Sequence, residues 1–384
     1  MSNTNLLSDD LGDAFIRLIA KQTGLEIRER DRAGLRDKIF LRMKALNLDF
    51  PINYYHVLIA NTIESDREWQ NFVTNLTNLE SYFFRDKEQF ILLRDRILPE
   101  LIQRQEDTKT IRICSAGCST GEEPYSLAIL LKEILPDIEE WNITIFGLDL
   151  NHKALHKAQS GIYRHWSFRH VDPALKERYF QPINNHYCLD SLIKKMVNFK
   201  YFNLVKDPLP QPENEIQYFD LIVCRNIFIY FDSSAIAKVL DKFYHTLQPL
   251  GYLITGHSEL YGQNLSQFHT KVFPESIIYQ RPDNNLFQAG TPEQNLAPGA
   301  TSSPRYNGVS PPTEPNNFTV ESLLLDINKT DIEIAQEKNN LNLQQTALTL
   351  LKQLPPDTKL TKLGNQTAAE LISQLETALK LSNS

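Results

Sequence analysis

The sequence predicts an α/β fold, a mostly parallel sheet with helices on both faces, preceded by a helical domain and followed by a helical tail. Three observations carry this. Between Ile111 and Gln280 short apolar runs alternate with helical patterns, and such alternation implies a parallel sheet covered on both sides. From Ala14 to about Asn75 the apolar spacing is helical throughout. After Arg281 the chain becomes dense in Pro, Gly, Asn and Ser before periodic apolar positions resume.

The 384 residues suffice for more than one domain, and 41% hydrophobic content supplies real cores. A net charge of −7 and a pI near 5.8 argue against a nucleic-acid partner held by bulk charge. No apolar run approaches the roughly 20 residues of a membrane span, and MSNTNLLSDDLGD lacks the basic and apolar regions of a signal peptide. The expected location is the cytoplasm, without membrane insertion. Cys114, Cys118, Cys188 and Cys224 have no C-x-x-C pairing, so buried thiols are expected rather than a metal or disulfides.

In chain order, residues 1–75 form a helical domain in which Phe15, Leu18 and Ile19 share one face, and Leu35, Ile39, Met43 and Leu46 another. Its second helix carries Arg28, Arg30, Arg32, Arg36, Lys38, Arg42 and Lys44, a basic density in an acidic chain. Such a run is ordinarily a solvated face; the functional alternative is a dock for an acidic protein segment, with Arg32, Arg36, Lys38 and Arg42 as contacts. The main domain, 76–282, contains the strands IRICS, ITIFGLDL, MVNFKYFNL, FDLIVCRN, GYLITG and SIIYQ, with helices near Pro124 to Leu135, Lys153 to Gln159 and Ser233 to Leu247. Residues 161–195 are too long for an ordinary connection and are expected as an inserted subdomain. Residues 283–318 read as a flexible linker. In 319–384, Leu341, Leu348, Leu351, Leu371, Leu375 and Leu379 mark helices of a tail.

Ligands of such sheets bind beyond the carboxyl ends of the strands, where SAGCSTGEE, DLN, FNL and CRN collect. The turn SAGCSTGEEPYS, Ser115 to Ser126, resembles a phosphate turn in position but not in chemistry. A phosphate loop needs a lysine where Glu122 stands, and a dinucleotide turn needs G-x-G-x-x-G, whereas only Gly117 and Gly121 are present. A pyrophosphate would also meet two carboxylates. A cationic or hydroxyl-rich ligand remains, and Asp149, at the end of the second strand, stands where a ribose is held. S-adenosylmethionine meets both demands. Glu122 is expected to cap the following helix, leaving Glu123 for the ligand.

The segments LESYFFRDKEQF, SAGCSTGEEPYSLAILL, LDLNHKALHKAQSGIY, CRNIFIYFD and LQPLGYLITGHSE together resemble the CheR family of chemotaxis-receptor glutamate O-methyltransferases, in order from roughly Leu11 to Arg281. The resemblance implies a Rossmann-like S-adenosylmethionine-dependent methyltransferase sheet, an N-terminal helical domain and a small β-subdomain at 161–195. By motif, the implied cofactor contacts are Ser81, Arg85, Glu123, Asp149, Asn203, Leu204, Arg225 and Asn226. Tyr230 and Arg85 would line the methyl-transfer site. Leu79 stands where the family commonly has Asn, so either Asn78 substitutes for it or one cofactor bond is missing. The implied product is S-adenosylhomocysteine, and the implied partner is the cytoplasmic region of a chemoreceptor-like protein. A monomer is expected.

A glutamate carboxylate, with an unperturbed pKa near 4.3, is already a nucleophile at neutral pH, so no base is required. Arg85 can orient it through a charge-assisted fork and Tyr230 can add a hydrogen bond or shield the site. His257 of GHSE is therefore read as a structural residue closing a turn. An alternative is a catalytically weak S-adenosylmethionine-binding regulator, motivated by Leu79 and the tail.

Overall fold

A computed structural model describes residues 7–283 and scattered positions between 359 and 377. The chain forms two units, Met1–Phe287 and Gln288–Ser384. In the second, Lys359–Leu360 and Gln366–Thr367 pair antiparallel and the described positions between 369 and 377 that follow are helical, so the expected helical tail also includes a small strand pair. The expected linker at 283–318, after its first residue, and the six tail leucines lie outside the described residues.

The first unit opens with four helices, α1 (Asp9–Thr23), α2 (Arg32–Ala45), α3 (Pro51–Ile59) and α4 (Ile63–Leu76). The Ser8 side chain caps α1 by accepting from the Leu11 N–H, and Gly24 ends the helix with φ 76°, a left-handed value that favours glycine. Phe15, Ile19, Leu35, Ile39 and Met43 form the helical core with Tyr54, Leu58 and Phe72. Leu46 does not join them, because α2 has ended and the side chain faces solvent. Arg28 and Arg30 precede α2 rather than lying on it.

A helical stretch absent from the expectations runs from α5 (Lys87–Leu92) through a π turn at Leu93–Ile97 to α6 (Leu98–Arg104). The π turn shifts the phase of the apolar stripe, which hides it from a 3.6-residue template. Then follow β1 (Thr110–Ala116), α7 (Glu122–Ile134), β2 (Asn142–Asp149) and α8 (His152–Ser160). The insertion supplies β3 (Ile162–Arg164), α9 (Pro173–Tyr179), β4 (Phe180–Ile183), β5 (His186–Leu189) and α10 (Ser191–Lys195). The sheet resumes with β6 (Val197–Tyr201), β7 (Phe219–Cys224), α11 (Ser233–Thr246), β8 (Leu247–Thr255), β9 (His269–Val272) and β10 (Ile277–Gln280).

The main sheet has the order β6-β2-β1-β7-β8-β10-β9. Its first five strands are parallel and the last two pair antiparallel. The chain moves from β1 to β2 on one side and returns to β7 on the other, so β1 and β7 flank the crevice where such sheets bind ligands. β9 was not expected because none of its residues is buried, and an edge strand without a buried face shows no alternation. The inserted strands form their own antiparallel sheet, β3-β5-β4. This subdomain grips the FFR segment: Phe83 packs at 4.8 Å on Tyr163, 5.2 Å on Phe168 and 4.8 Å on Phe180.

Candidate functional site

A cavity of about 180 Å³ opens at the carboxyl ends of β1, β2, β6 and β7, and every expected cofactor residue lines it: Asn78, Ser81, Arg85, Glu123, Asp149, Asn203, Leu204, Arg225 and Asn226. Tyr230 joins them, as do Thr23 and Leu25 from the end of α1 and the loop behind it. The charged residues among the described lining are Glu80, Glu123, Asp149, Arg85 and Arg225.

The turn after β1 is held by backbone geometry. Gly117 and Gly121 have φ of 76° and 91°. A Cβ at Gly117 would lie 2.3 Å from Ile227 Cδ1, and one at Gly121 would lie 2.7 Å from Ala158 Cβ. Both glycines thus give room to protein side chains, a role phosphate-turn logic does not anticipate. The Ser119 N–H donates to Asp149 Oδ2 and the Asn151 N–H to Asp149 Oδ1, both at 2.7 Å. Burial raises the Asp149 pKa above the ordinary carboxylate value, and these backbone donors oppose the rise.

The two glutamates diverge as expected for neighbours on a helix start. Glu122 is buried away from the cavity, but it caps no backbone group: Thr120 Oγ1 donates to Oε2 at 2.6 Å and Ser167 Oγ to Oε1 at 3.0 Å. It ties the insertion to α7. Glu122 keeps its expected place in the first turn of α7, where a carboxylate favours the helix dipole, but in place of a side-chain cap bond it tethers the inserted subdomain to the helix. Glu123 faces the cavity, with Ser115 Oγ donating to Oε1 and Arg225 Nε to Oε2, each at 2.7 Å. A carboxylate has about four acceptor sites, so capacity remains for a ligand.

Two expected contacts have their side chains engaged elsewhere. The Arg225 guanidinium donates to the Arg85 carbonyl at 2.7 Å and to Gln89 Oε1 at 3.1 Å besides Glu123. It orients Glu123 and fixes the Arg85 backbone. Asn203 Nδ2 donates to the Gln22 carbonyl at 2.8 Å, while its Oδ1 accepts from the Val205 and Lys206 N–H groups. Its side chain shapes the wall after β6 and joins it to α1.

Arg85 sits between Phe84 and Asp86, which have φ of 54° and 60°. Left-handed backbone at two non-glycine residues is costly, and the surroundings hold it in place: Phe84 N–H donates to Ser126 Oγ at 3.0 Å, and Phe83 N–H to the Ser167 carbonyl at 2.9 Å. Across the cavity, the Tyr230 hydroxyl accepts from Asn78 Nδ2 at 3.4 Å. Asn78 and Leu79 both line the wall. The Tyr230 carbonyl accepts from the Glu26 N–H at 2.7 Å, and Leu25 pairs with Phe231, so the helical domain clamps the segment carrying Tyr230.

His257 does not close the turn after β8, because it is exposed. Glu259 does: its carboxylate accepts from the N–H groups of Gly256 at 2.6 Å, Asn226 at 3.0 Å and Ile229 at 3.4 Å. Burial raises its pKa. The acid of GHSE was the available signal, overshadowed by the histidine beside it.

The expected docking set on α2 is not one free basic face. Arg42 pairs with buried Glu68 through 2.8 and 2.7 Å bonds, and Tyr54 also donates to Glu68. Arg42 is therefore a core ion pair, which corrects its assignment as a docking contact. Arg32 pairs with Asp13 at 2.7 Å and Glu29 at 2.6 Å, and Arg36 donates to the Leu7 carbonyl. Lys38 has no hydrogen bond or ion pair among the described residues. None of the four lines the cavity.

A family model described as CheR methyltransferase, SAM binding domain, matches residues 79–276. A chemotaxis protein methyltransferase of Borreliella burgdorferi is 30% identical over 67% of this chain and 90% of its own length. One from Salmonella typhimurium is 33% identical over 70% of this chain and 90% of its own. A probable biofilm formation methyltransferase, WspC, of Pseudomonas aeruginosa is 28% identical over 71% of this chain and 62% of its own.

Proposed function

Because the chain belongs to the CheR methyltransferase family, we propose that it methylates glutamate side-chain carboxylates on the cytoplasmic region of chemoreceptor-like proteins, forming methyl esters. S-adenosylmethionine is its cofactor and supplies the methyl group on a sulfonium, becoming S-adenosylhomocysteine. The donor set suits that molecule: Asp149 offers carboxylate oxygens to a ribose, and Glu123 keeps acceptor capacity for an ammonium. Ser81, Leu204 and Asn226 complete the wall, with the backbones of Asn203 and Arg225 and with Asn78 beside Leu79.

The observation that carries the reading is that Arg85 and Tyr230 line the same cavity as these two carboxylates. The glutamate nucleophile is charged at neutral pH, so the protein has to align and desolvate it rather than deprotonate it. Arg85 presents a planar fork that matches a carboxylate. Tyr230, 39% exposed, stands where its ring can exclude water and its hydroxyl can steer an incoming oxygen. The proposed location is the cytoplasm, where the receptor helices lie, and the proposed working state is a monomer. Within the proposed docking set, Lys38 is the member without a hydrogen bond or ion pair among the described residues.

Radiolabelled methyl transfer to a receptor cytoplasmic fragment tests the proposal. Base-labile label is expected on the fragment, and Arg85→Ala should lower kcat by about a hundredfold while S-adenosylhomocysteine still binds. Full activity in that variant would remove the mechanism. Cofactor binding with no transfer to any receptor fragment would favour a binding regulator, the reading that Leu79 in the wall supports.

A further inference from the structure

The inserted subdomain reaches the cavity wall through Arg169, a residue that no motif singled out. It follows the 3₁₀ turn His165–Phe168 behind β3, and its side chain is only 17% exposed. Its guanidinium carbon lies 3.6 Å from the centre of the Tyr82 ring and 4.7 Å from that of Trp166. The Arg85 guanidinium lies 5.5 Å from the same Tyr82 ring. Tyr82 and Arg85 both line the cavity.

Glu80 couples the two arginines a second time. Its carbonyl accepts from Arg85 Nη1 at 3.3 Å, and its carboxylate accepts from Arg169 Nη2 at 3.2 Å. Arg169 Nη1 also donates to the Trp166 carbonyl at 3.1 Å. Among the described residues, one long hydrogen bond and one ring at 5.5 Å fix the direction of the Arg85 side chain. A flexible side chain so lightly held takes its direction from the walls around it, and a planar guanidinium stacked on an aromatic face is a stiffer wall than an ammonium.

We propose that Arg169 is a positioning residue: by gripping the Tyr82 ring and the Glu80 carboxylate, it sets the direction in which Arg85 meets the substrate carboxylate. This rests on the reading of Arg85 as the group that orients that carboxylate. The insertion thereby contributes to alignment in the cavity as well as packing on the FFR segment. No bond is made or broken by Arg169, and its effect is confined to geometry.

Three measurements on the full chain test this. Arg169→Ala should lower kcat for a receptor fragment roughly tenfold, with the protein still folded and still binding S-adenosylhomocysteine. Arg169→Lys, which keeps the charge beside Glu80 but not the stacked plane, should leave kcat low. A wild-type kcat in the alanine variant, or full recovery in the lysine variant, overturns the proposal. The third measurement needs no turnover. The Arg85 Nε–Hε NMR signal, identified by its disappearance in Arg85→Lys, should shift in Arg169→Ala, and an unmoved signal overturns the proposal. If the wild-type protein methylates no receptor fragment, the functional reading fails, while this signal still decides the positioning role.

Discussion

Asp149 shows how one residue can be legible in sequence while its chemistry is set by its surroundings. An acid at the end of the second strand marks a ribose site, but its raised pKa comes from burial, opposed by the Asn151 and Ser119 N–H groups. In the proposed role of Asp149, ribose hydroxyls donate to the charged carboxylate, so binding favours the deprotonated form and weakens as pH falls through the raised pKa. That loss should begin above the pH expected for an ordinary aspartate, whose pKa is about 3.9. Calorimetric titration with S-adenosylhomocysteine across acidic pH should show it. Asp149→Asn should flatten the profile and weaken binding at neutral pH by about 1.5–3 kcal/mol. Arg225 and Asn203 are the opposite case, since their types and places were readable but the direction of their side chains was not. Distant elements, the segment at Arg85–Gln89 and the end of α1, claim those groups.

Among the elements, α2 carries the sharpest difference between sequence and structure. The basic run was plain, yet helix periodicity cannot reveal that Glu68, on α4, meets Arg42 in the core. Removing Arg42 would leave a buried, unpaired carboxylate: Arg42→Ala should destabilise the protein by about 3–5 kcal/mol, seen as a lowered midpoint in urea. Lys38→Glu should leave that midpoint unchanged and instead raise the KM for a receptor fragment, because an exposed cation acts through encounter and steering. An unchanged KM would argue against docking on this helix. The strands β1, β2, β6, β7, β8 and β10 were legible because apolar runs bounded by polar ends declare buried strands. The π turn between α5 and α6 and the exposed edge β9 broke the periodicities on which such reading depends.

On the scale of the whole molecule, the cavity belongs to three parts of the chain at once. The sheet supplies its floor, the helical domain closes one side through Thr23, Leu25 and the clamp on Tyr230, and the insertion packs behind the FFR segment that carries Arg85. All described lining residues fall between Thr23 and Phe231. A chain ending at Asp283 should therefore bind S-adenosylhomocysteine with unchanged affinity, checked by calorimetry against the full chain. A large loss would assign the tail a part in the cofactor site.

What the sequence by itself determined was the α/β class and, through the motifs that carry the family resemblance, the residue set that converges on the cavity. Local patterns and motif chemistry suffice for these, because strand ends of a parallel sheet meet on one edge whatever the loops do. Only the tertiary structure decided that Gly117 and Gly121 make room for Ile227 and Ala158, that Glu122 tethers the insertion, and that Glu259 rather than His257 closes the β8 turn. It also decided that Arg42 lies in the core. Each of these depends on which distant side chain arrives beside the residue, and burial and hydrogen-bond competition between remote segments settle that only when the chain is folded.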